Sequence, residues 1–364
     1  MSVFAVVGLL ILTLKTPQLA RDSKKFSIGQ SCGEIPTISI IIPARNEEKR
    51  LGQLLESISR QSFAPFEVIV VNDQSTDKTA EVAKNFGATV IESGKRPADF
   101  APKPFVCDVG FKQSTGSVVL FLDADTCLAP NFVETVASFF SLSNNNVLSI
   151  QPFHRTSKLV QSLSFYFHFV SIVASGLLSL LPFSLGVFGP CIAMRRQAYE
   201  SVGGFTNEKV KSSIIEDVEL GEVLKREGFR PDRFLGTGLI EYEMYSSFKE
   251  MFFGWVKNIS RGASKTNPIL MIVMIAYFGA MISIPYFLIF EDLAGVGGAY
   301  LILEYILLWL ITINVAVRLG NYFISSIFYP FSLIFFFVVF AFAGISQILK
   351  LETKWAGRAI SSRK

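Results

Sequence analysis

Asp123 and Asp125 stand one residue apart, directly after the apolar run Val118-Val119-Leu120-Phe121-Leu122. Such a β-branched run bounded by polar residues reads as a buried strand. Two carboxylates at a strand end can share a hard divalent cation through oxygen ligands. Mg²⁺ is commonly held by one or two carboxylates together with substrate phosphates, so a diphosphate is the natural third party. Taken alone, the tripeptide is equally well a solvated acidic turn.

Other residues able to do chemistry recur at comparable places. Asp73 follows an apolar run at residues 67–71, where it could bond a ligand or simply close an Asx-turn. Asp77 suits the N-cap of the next helix. Lys103 precedes a helical stretch and is either a phosphate contact or a solvated loop lysine. Asp217 heads the helical run at 218–226, as a general base or a dipole-favoured cap. Only two histidines occur, too few for a histidine metal site, and His154 reads as structural. Cys32, Cys107, Cys127 and Cys191 are widely spaced, unlike a zinc site or disulfide framework, and are expected to be reduced thiols.

The elements that must position these groups alternate. Strands are expected at 38–42, 67–71, 88–91 and 118–122, and helices at 47–60, 78–86 and 104–114. Strand–helix alternation with short links predicts an α/β fold with a doubly wound, mostly parallel sheet. Ligands then bind beyond the carboxyl ends of the strands, where Pro43, Asp73 and Asp123 fall.

Half of the 364 residues are hydrophobic and 18% are charged, below the soluble norm of about a quarter. The imbalance is local, because residues 269–349 are almost free of charge. The predicted organisation is an N-terminal anchor and linker (1–34), a catalytic domain (35–265), transmembrane helices (266–349) and a basic cytoplasmic tail (350–364). Residues 3–14 are short for a span and are either an anchor or an interfacial helix. Residues 159–190 are read as an apolar interfacial segment, with a buried core helix pair as the alternative. Spans are expected at 269–290 and 296–317, with Glu304 of the second facing the protein interior. An overlong apolar stretch at 322–349 is interrupted by Pro330. Basic residues flank the apolar segments at Lys15, Arg21, Lys24 and Lys25, and again at Lys350, Lys354, Arg358, Arg363 and Lys364. They suit membrane lipids on the cytoplasmic side of a plasma membrane better than nucleic acid.

Five stretches in order carry a family resemblance. They are Ile40-Ile41-Ile42-Pro43-Ala44-Arg45-Asn46-Glu47, Val70-Val71-Asn72-Asp73-Gln74-Ser75-Thr76-Asp77, Asp123-Ala124-Asp125, Val202-Gly203-Gly204-Phe205 and Ile215-Glu216-Asp217-Val218-Glu219-Leu220. Together they resemble the family 2 glycosyltransferases of the GT-A fold. The resemblance implies an inverting enzyme using a UDP-sugar donor and Mg²⁺ or Mn²⁺. It implies that Asp73 accepts from the uracil imide and that Pro43, Ala44 and Glu47 line the nucleoside pocket. Lys103 would meet the diphosphate, although Pro102 stands where the family has glycine. Asp125 would ligate the metal, Asp123 would reach both metal and ribose, and Asp217 would be the catalytic base.

A second likeness rests on Ser149-Ile150-Gln151-Pro152-Phe153-His154, Gly254-Trp255-Val256-Lys257 and Trp355-Ala356-Gly357-Arg358. It points to membrane-bound members of that family that glucosylate carotenoid acids, and so to a lipophilic acceptor. Gly254-Trp255-Val256-Lys257 departs from the Gln-x-x-Arg-Trp pattern of polymer synthases. Trp255 would stack on a sugar or anchor at the interface, and Lys257 would reach phosphates or headgroups. A hydroxylated lipid or exopolysaccharide precursor is the alternative acceptor. A non-catalytic scaffold or transporter is the alternative of another class.

Overall fold

The computed structural model describes residues 7–8, 34–64, 66–178, 186–245, 247–262, 268–290, 296–349, 353–355 and 358–360. The chain forms two compact units. One comprises Pro17–Phe153 and Leu185–Glu243; the other comprises Met1–Thr16, His154–Ser184 and Met244–Lys364.

The first unit is built on a seven-stranded sheet. In chain order its strands and helices are β1 (Ile38–Ala44), α1 (Leu51–Ser59), β2 (Phe66–Asn72), α2 (Thr79–Asn85), β3 (Thr89–Glu92), α3 (Pro102–Gln113) and β4 (Val118–Leu122). There follow β5 (Thr126–Leu128), α4 (Phe132–Leu142), β6 (Val147–Gln151) and β7 (Phe153–His154), the last marking where the chain leaves this unit. On its return the chain adds β8 (Cys191–Arg195), α6 (Arg196–Ser201), α7 (Glu208–Lys211), α8 (Glu216–Arg226), β9 (Asp232–Leu235) and β10 (Ile240–Tyr242), while α5 (Phe165–Ser175) lies in the other unit. The sheet order is β3-β2-β1-β4-β8-β6-β9. β1 runs parallel to β2 and β4, β2 to β3, and β6 to β9, whereas β8 is antiparallel to both β4 and β6. The sheet is thus mostly parallel, as the alternation predicts.

Alternation along the strands gives two cores. Ile40, Ile42, Leu120 and Leu122 pack on one face with Leu51, Leu54, Phe132 and Phe139 of α1 and α4. Ile41, Val119 and Phe121 pack on the other with Val106, Tyr199, Leu220 and Val223 of α3, α6 and α8. Side chains on successive strand residues point to opposite faces, so strands buried on both sides are apolar throughout. The helix expected from residue 47 begins at Leu51, because residues 47–50 form turns in which the Glu47 carbonyl accepts from the Arg50 and Leu51 N–H groups.

The second unit is helical. A 3₁₀ helix at Leu159–Ser164 leads into α5 (Phe165–Ser175). Then come α9 (Phe248–Gly262), α10 (Pro268–Phe290), α11 (Val296–Leu319), α12 (Phe323–Ile327) and α13 (Tyr329–Ile348). Helices over Pro268–Phe290, Gly297–Leu319 and Tyr329–Ser346 are long and apolar enough to cross a membrane. Ile272, Ile275, Phe331 and Ile334 on these helices are exposed. Glu304 is buried on the same stripe of α11 as Leu308, Thr312 and Val315, as expected of a carboxyl in such a helix. The stretch 322–349 divides at Phe328, and Pro330 falls in the first turn of α13, where its missing N–H costs no helical bond.

The apolar segment 159–190 was expected to lie at an interface within the catalytic domain. Residues 159–178 instead belong to the helical unit, as does α9, whereas residues 186–190 belong to the sheet unit. Phe165, Tyr166, Phe167, His168, Phe169, Ile172 and Val173 of α5 are all buried. A helix apolar all round lacks the polar face that an interfacial helix keeps in water. Fully buried His154 accepts the Met244 N–H on Nε2 at 3.3 Å, which fixes the proton on Nδ1, and Nδ1 bonds the Tyr322 hydroxyl. Residues 3–14 fall outside the described residues except for Val7 and Gly8, which are helical.

Candidate active site

Two loops at the carboxyl ends of β1 and β2 form the first part of the site. Asn46 and Gln74 adopt left-handed backbone conformations, with φ of 56° and 53°. Such conformations cost a non-glycine residue about 1–3 kcal/mol unless the surroundings enforce them. The lacing between the loops supplies that enforcement. The Thr76 N–H donates to Asn46 Oδ1 at 2.8 Å, and the Asn46 N–H to Ser75 Oγ at 3.0 Å. The Glu47 N–H donates to Thr79 Oγ1 at 2.8 Å and the Glu48 N–H to Asp77 Oδ2 at 3.2 Å.

Asp73 lies between these loops with 4% of its surface exposed. Its N–H donates to the Ala44 carbonyl at 2.8 Å. Ser93 Oγ donates to Asp73 Oδ1 at 3.2 Å, and Arg45 Nη1 stands 3.6 Å from Oδ2 while donating to the Asp73 carbonyl at 2.5 Å. The buried charge is therefore paired, as a buried carboxylate requires. Pro43 and Ala44 end β1 immediately before Arg45, and Glu47 follows Arg45 in the loop.

The second part gathers at the ends of β4 and α8. Lys103, in the first turn of α3, places Nζ 2.6 Å from Asp123 Oδ1 and 3.3 Å from Glu216 Oε1, and donates to the Gly189 carbonyl at 3.2 Å. Asp123 is held by its own N–H, which donates to the Pro190 carbonyl at 3.0 Å. Asp217 Oδ2 accepts the Gly189 N–H at 3.1 Å and Oδ1 accepts the Val218 N–H at 2.9 Å. Gly189 thus touches both Lys103 and Asp217.

Burial opposes the charge on Lys103, yet the Asp123 and Glu216 carboxylates outweigh it and hold the ammonium well above its ordinary range. Burial pushes the Glu216 carboxyl up to about 7 against the pull of Lys103, with the Asp217 charge adding to the rise. Burial also raises Asp217, partly opposed by Lys103 and by its two backbone N–H bonds. Asp125 is pushed up to about 7 by burial and by the neighbouring Asp123 and Glu47 carboxylates, with Arg50 and Lys103 acting in the opposite direction. This crowding of carboxylate oxygens fits a hard dication, whose charge would relieve it. Among the described residues no three His, Cys, Asp or Glu side chains are arranged to hold an ion unaided.

The family model for glycosyl transferase family 2 matches residues 39–203. The chain is 35% identical over 249 residues to a protein named 4,4'-diaponeurosporenoate glycosyltransferase from Staphylococcus haemolyticus, covering 66% of each chain. It is 34% identical over 255 residues to the protein of that name from Staphylococcus aureus, covering 68% of this chain and 67% of that one.

The chain belongs to glycosyl transferase family 2.

It is a glycosyltransferase with the α/β sheet expected of the GT-A class and a C-terminal region of apolar helices. A mannosyltransferase from Pyrobaculum calidifontis, solved in complex with GDP-Man and Mn²⁺, superposes with a TM-score of 0.49 at 14% identity, covering 92% of this chain and 94% of that one.

Within this family 2 chain the structure brings Lys103, Asp123 and Asp217 into one network, sets Asp125 under the charges of Asp123, Glu47 and Lys103, and puts Pro43, Ala44 and Asp73 at the carboxyl ends of β1 and β2. Trp255 and Lys257 lie on α9 of the other compact unit. Trp255 is 5% exposed, with its indole stacked on Phe167 at 4.6 Å and its N–H donating to Ser164 Oγ at 3.0 Å. Sequence reasoning passed over Arg45, Gly189 and Glu216. Arg45 and Glu216 stood inside the quoted motifs, so their charge beside an acidic partner was the available signal. Gly189 had none.

Proposed function

We propose that this family 2 enzyme transfers a sugar, glucose being the first candidate, from a UDP-sugar to a lipophilic acceptor with inversion. The observation that carries this reading is the network joining Lys103, Asp123, Gly189 and Asp217. Its ammonium and carboxylates, joined through Gly189, support a cation for the donor diphosphate close to a carboxylate for the acceptor. In this reading Asp73 accepts from the uracil imide beside Pro43, Ala44 and Glu47.

Asp123 and Asp125 would hold Mg²⁺ or Mn²⁺, which stabilises negative charge on the leaving diphosphate when bound. Lys103 adds a further positive charge there. The acceptor oxygen attacks the anomeric carbon in line, the bond to the UDP oxygen breaks, and the configuration inverts. For a hydroxyl acceptor, Asp217 takes the proton. Burial raises its pKa, which makes it a stronger base than an ordinary aspartate.

The named relatives support a carotenoid acid, 4,4'-diaponeurosporenoate, as the acceptor. A carboxylic acid has a pKa near 4 and is already ionised at neutral pH. Asp217 would then orient the acceptor instead of deprotonating it. The raised carboxyl of Asp217 favours a second reading, a hydroxylated membrane lipid. Trp255 and Lys257 remain our acceptor-side residues, although Trp255 has little free ring surface. The three apolar helices and the flanking basic residues support a plasma-membrane enzyme whose catalytic unit faces the cytoplasm.

Purified protein supplied with UDP-glucose, UDP-N-acetylglucosamine and both acceptor classes tests this reading by mass spectrometry. The expected product is a glycosyl ester, cleaved by mild base. A base-stable glycoside would replace the acid with the hydroxyl acceptor, and the absence of sugar transfer to any lipid would defeat the reading.

A further inference from the structure

Lys103 has three N–H bonds to give, and three partners surround it. They are Asp123 Oδ1 at 2.6 Å, Glu216 Oε1 at 3.3 Å and the Gly189 carbonyl at 3.2 Å. These partners differ in what else is asked of them. Under the UDP-sugar reading, on which this inference rests, Asp123 must turn to the ribose and the cation. Glu216 has no such second duty. It begins α8 with 7% of its surface exposed, so its carboxylate cannot swing into water. Gly189 is equally fixed, tied through its own N–H to Asp217. A Cβ placed on Gly189 would lie 3.1 Å from Asp217 Oδ2 and 3.4 Å from Lys103 Nζ, so the two groups close around it from both sides.

We propose that Glu216 is a positioning residue: with the Gly189 carbonyl it keeps Lys103 in place when Asp123 is given over to the donor, so that the N–H bond released by Asp123 passes to the diphosphate. Without Glu216 the ammonium has one neutral partner left. A flexible lysine stem then follows Asp123 or samples solvent, and the charge-assisted bond to the diphosphate must be assembled at an entropic cost. The same arrangement puts Glu216, which holds the donor-side cation, and Asp217, the acceptor-side carboxylate, on successive residues of one helix start.

Calorimetric titration with UDP in saturating Mn²⁺ tests the proposal on the full-length protein in detergent. Four proteins are compared: unsubstituted, Glu216→Ala, Lys103→Ala and the double variant. Glu216→Ala is expected to weaken UDP binding about tenfold, and to add nothing in the Lys103→Ala background, because the two residues act through one ammonium. Glu216→Gln keeps the acceptor oxygen without the charge and should fall between; it serves the same cycle if the alanine variant does not fold. Additive losses would show Glu216 acting independently of Lys103 and overturn the proposal. So would UDP affinity left unchanged by Glu216→Ala in a protein that binds UDP. Absence of UDP binding by the unsubstituted protein would instead overturn the donor reading, and this inference with it.

Discussion

Asp125 carries a proton to about pH 7 in the folded, metal-free protein, whereas an aspartate in an unfolded chain releases it near pH 4. Between those values the folded state binds more protons. Its contribution to stability is therefore complete below about pH 4 and lost as the pH rises to about 7. Glu216 is displaced in the same direction. In chelator, the melting temperature should fall between pH 5.5 and 7.5, and Asp125→Asn should flatten that fall. An equal slope in the variant would contradict the assignment. Asp217→Asn should lower transfer to a hydroxyl acceptor by about 10²–10⁴-fold while leaving UDP affinity within about twofold. With an ionised acid acceptor the loss should be much smaller, so the same variant reads out the acceptor class. Asp73, Asp123, Asp125 and Asp217 stood out as candidates in the sequence because each follows a strand or heads a helix. Glu216 was not, because its significance lies in Lys103, which pattern along the chain does not bring to it.

At the scale of elements, continuous apolar runs located the strands well, since burial on both faces leaves little freedom in their composition. Val118–Leu122 is a strand over the predicted residues. Helix starts were less legible, because side chains from other loops decide them. Asp77 illustrates this. Lys78 occupies the cap position of α2, yet the Asp77 carboxylate accepts the Thr79 N–H at 3.0 Å and the Glu48 N–H at 3.2 Å. It therefore ends one loop and starts a helix at once, and these bonds hold its pKa down despite partial burial. Asp77→Ala should destabilise the protein by about 1–2 kcal/mol, measured by denaturant or thermal unfolding. It should also weaken UDP binding, because the same carboxylate fastens the loop carrying Glu47. α5 was hard to place for the opposite reason. With apolar residues on every side, its periodicity names no partner, and eleven residues rise only about 17 Å, too little to cross a bilayer core of about 30 Å.

For the whole molecule, the division of the chain decides how it can be cut. The sequence suggests a catalytic piece ending near residue 265. The helical unit, however, includes His154–Ser184, inserted between the two stretches that make up the sheet. A chain ended at Gly262 would leave Phe165, Phe167 and Phe169 without the helices that cover them. It is expected to aggregate without detergent, as size-exclusion chromatography would show. A monodisperse, detergent-free 35–262 fragment would refute that expectation. The fold class was readable from local patterns, but this interleaving was not, since it depends on contacts between residues as distant as His154 and Tyr322.

The sheet order has a consequence in time. β6 takes β8 and β9 as its neighbours, and both are synthesised after the apolar residues of α5. As the chain leaves the ribosome, β1 to β4 can pair at once, whereas β6 must wait unpartnered until residues 191–195 emerge. Phe165–Ser175 emerge during that interval, before the antiparallel strand that joins the two groups of parallel strands exists. Closure of the catalytic sheet is thus timed behind delivery of the segment assigned to the helical unit.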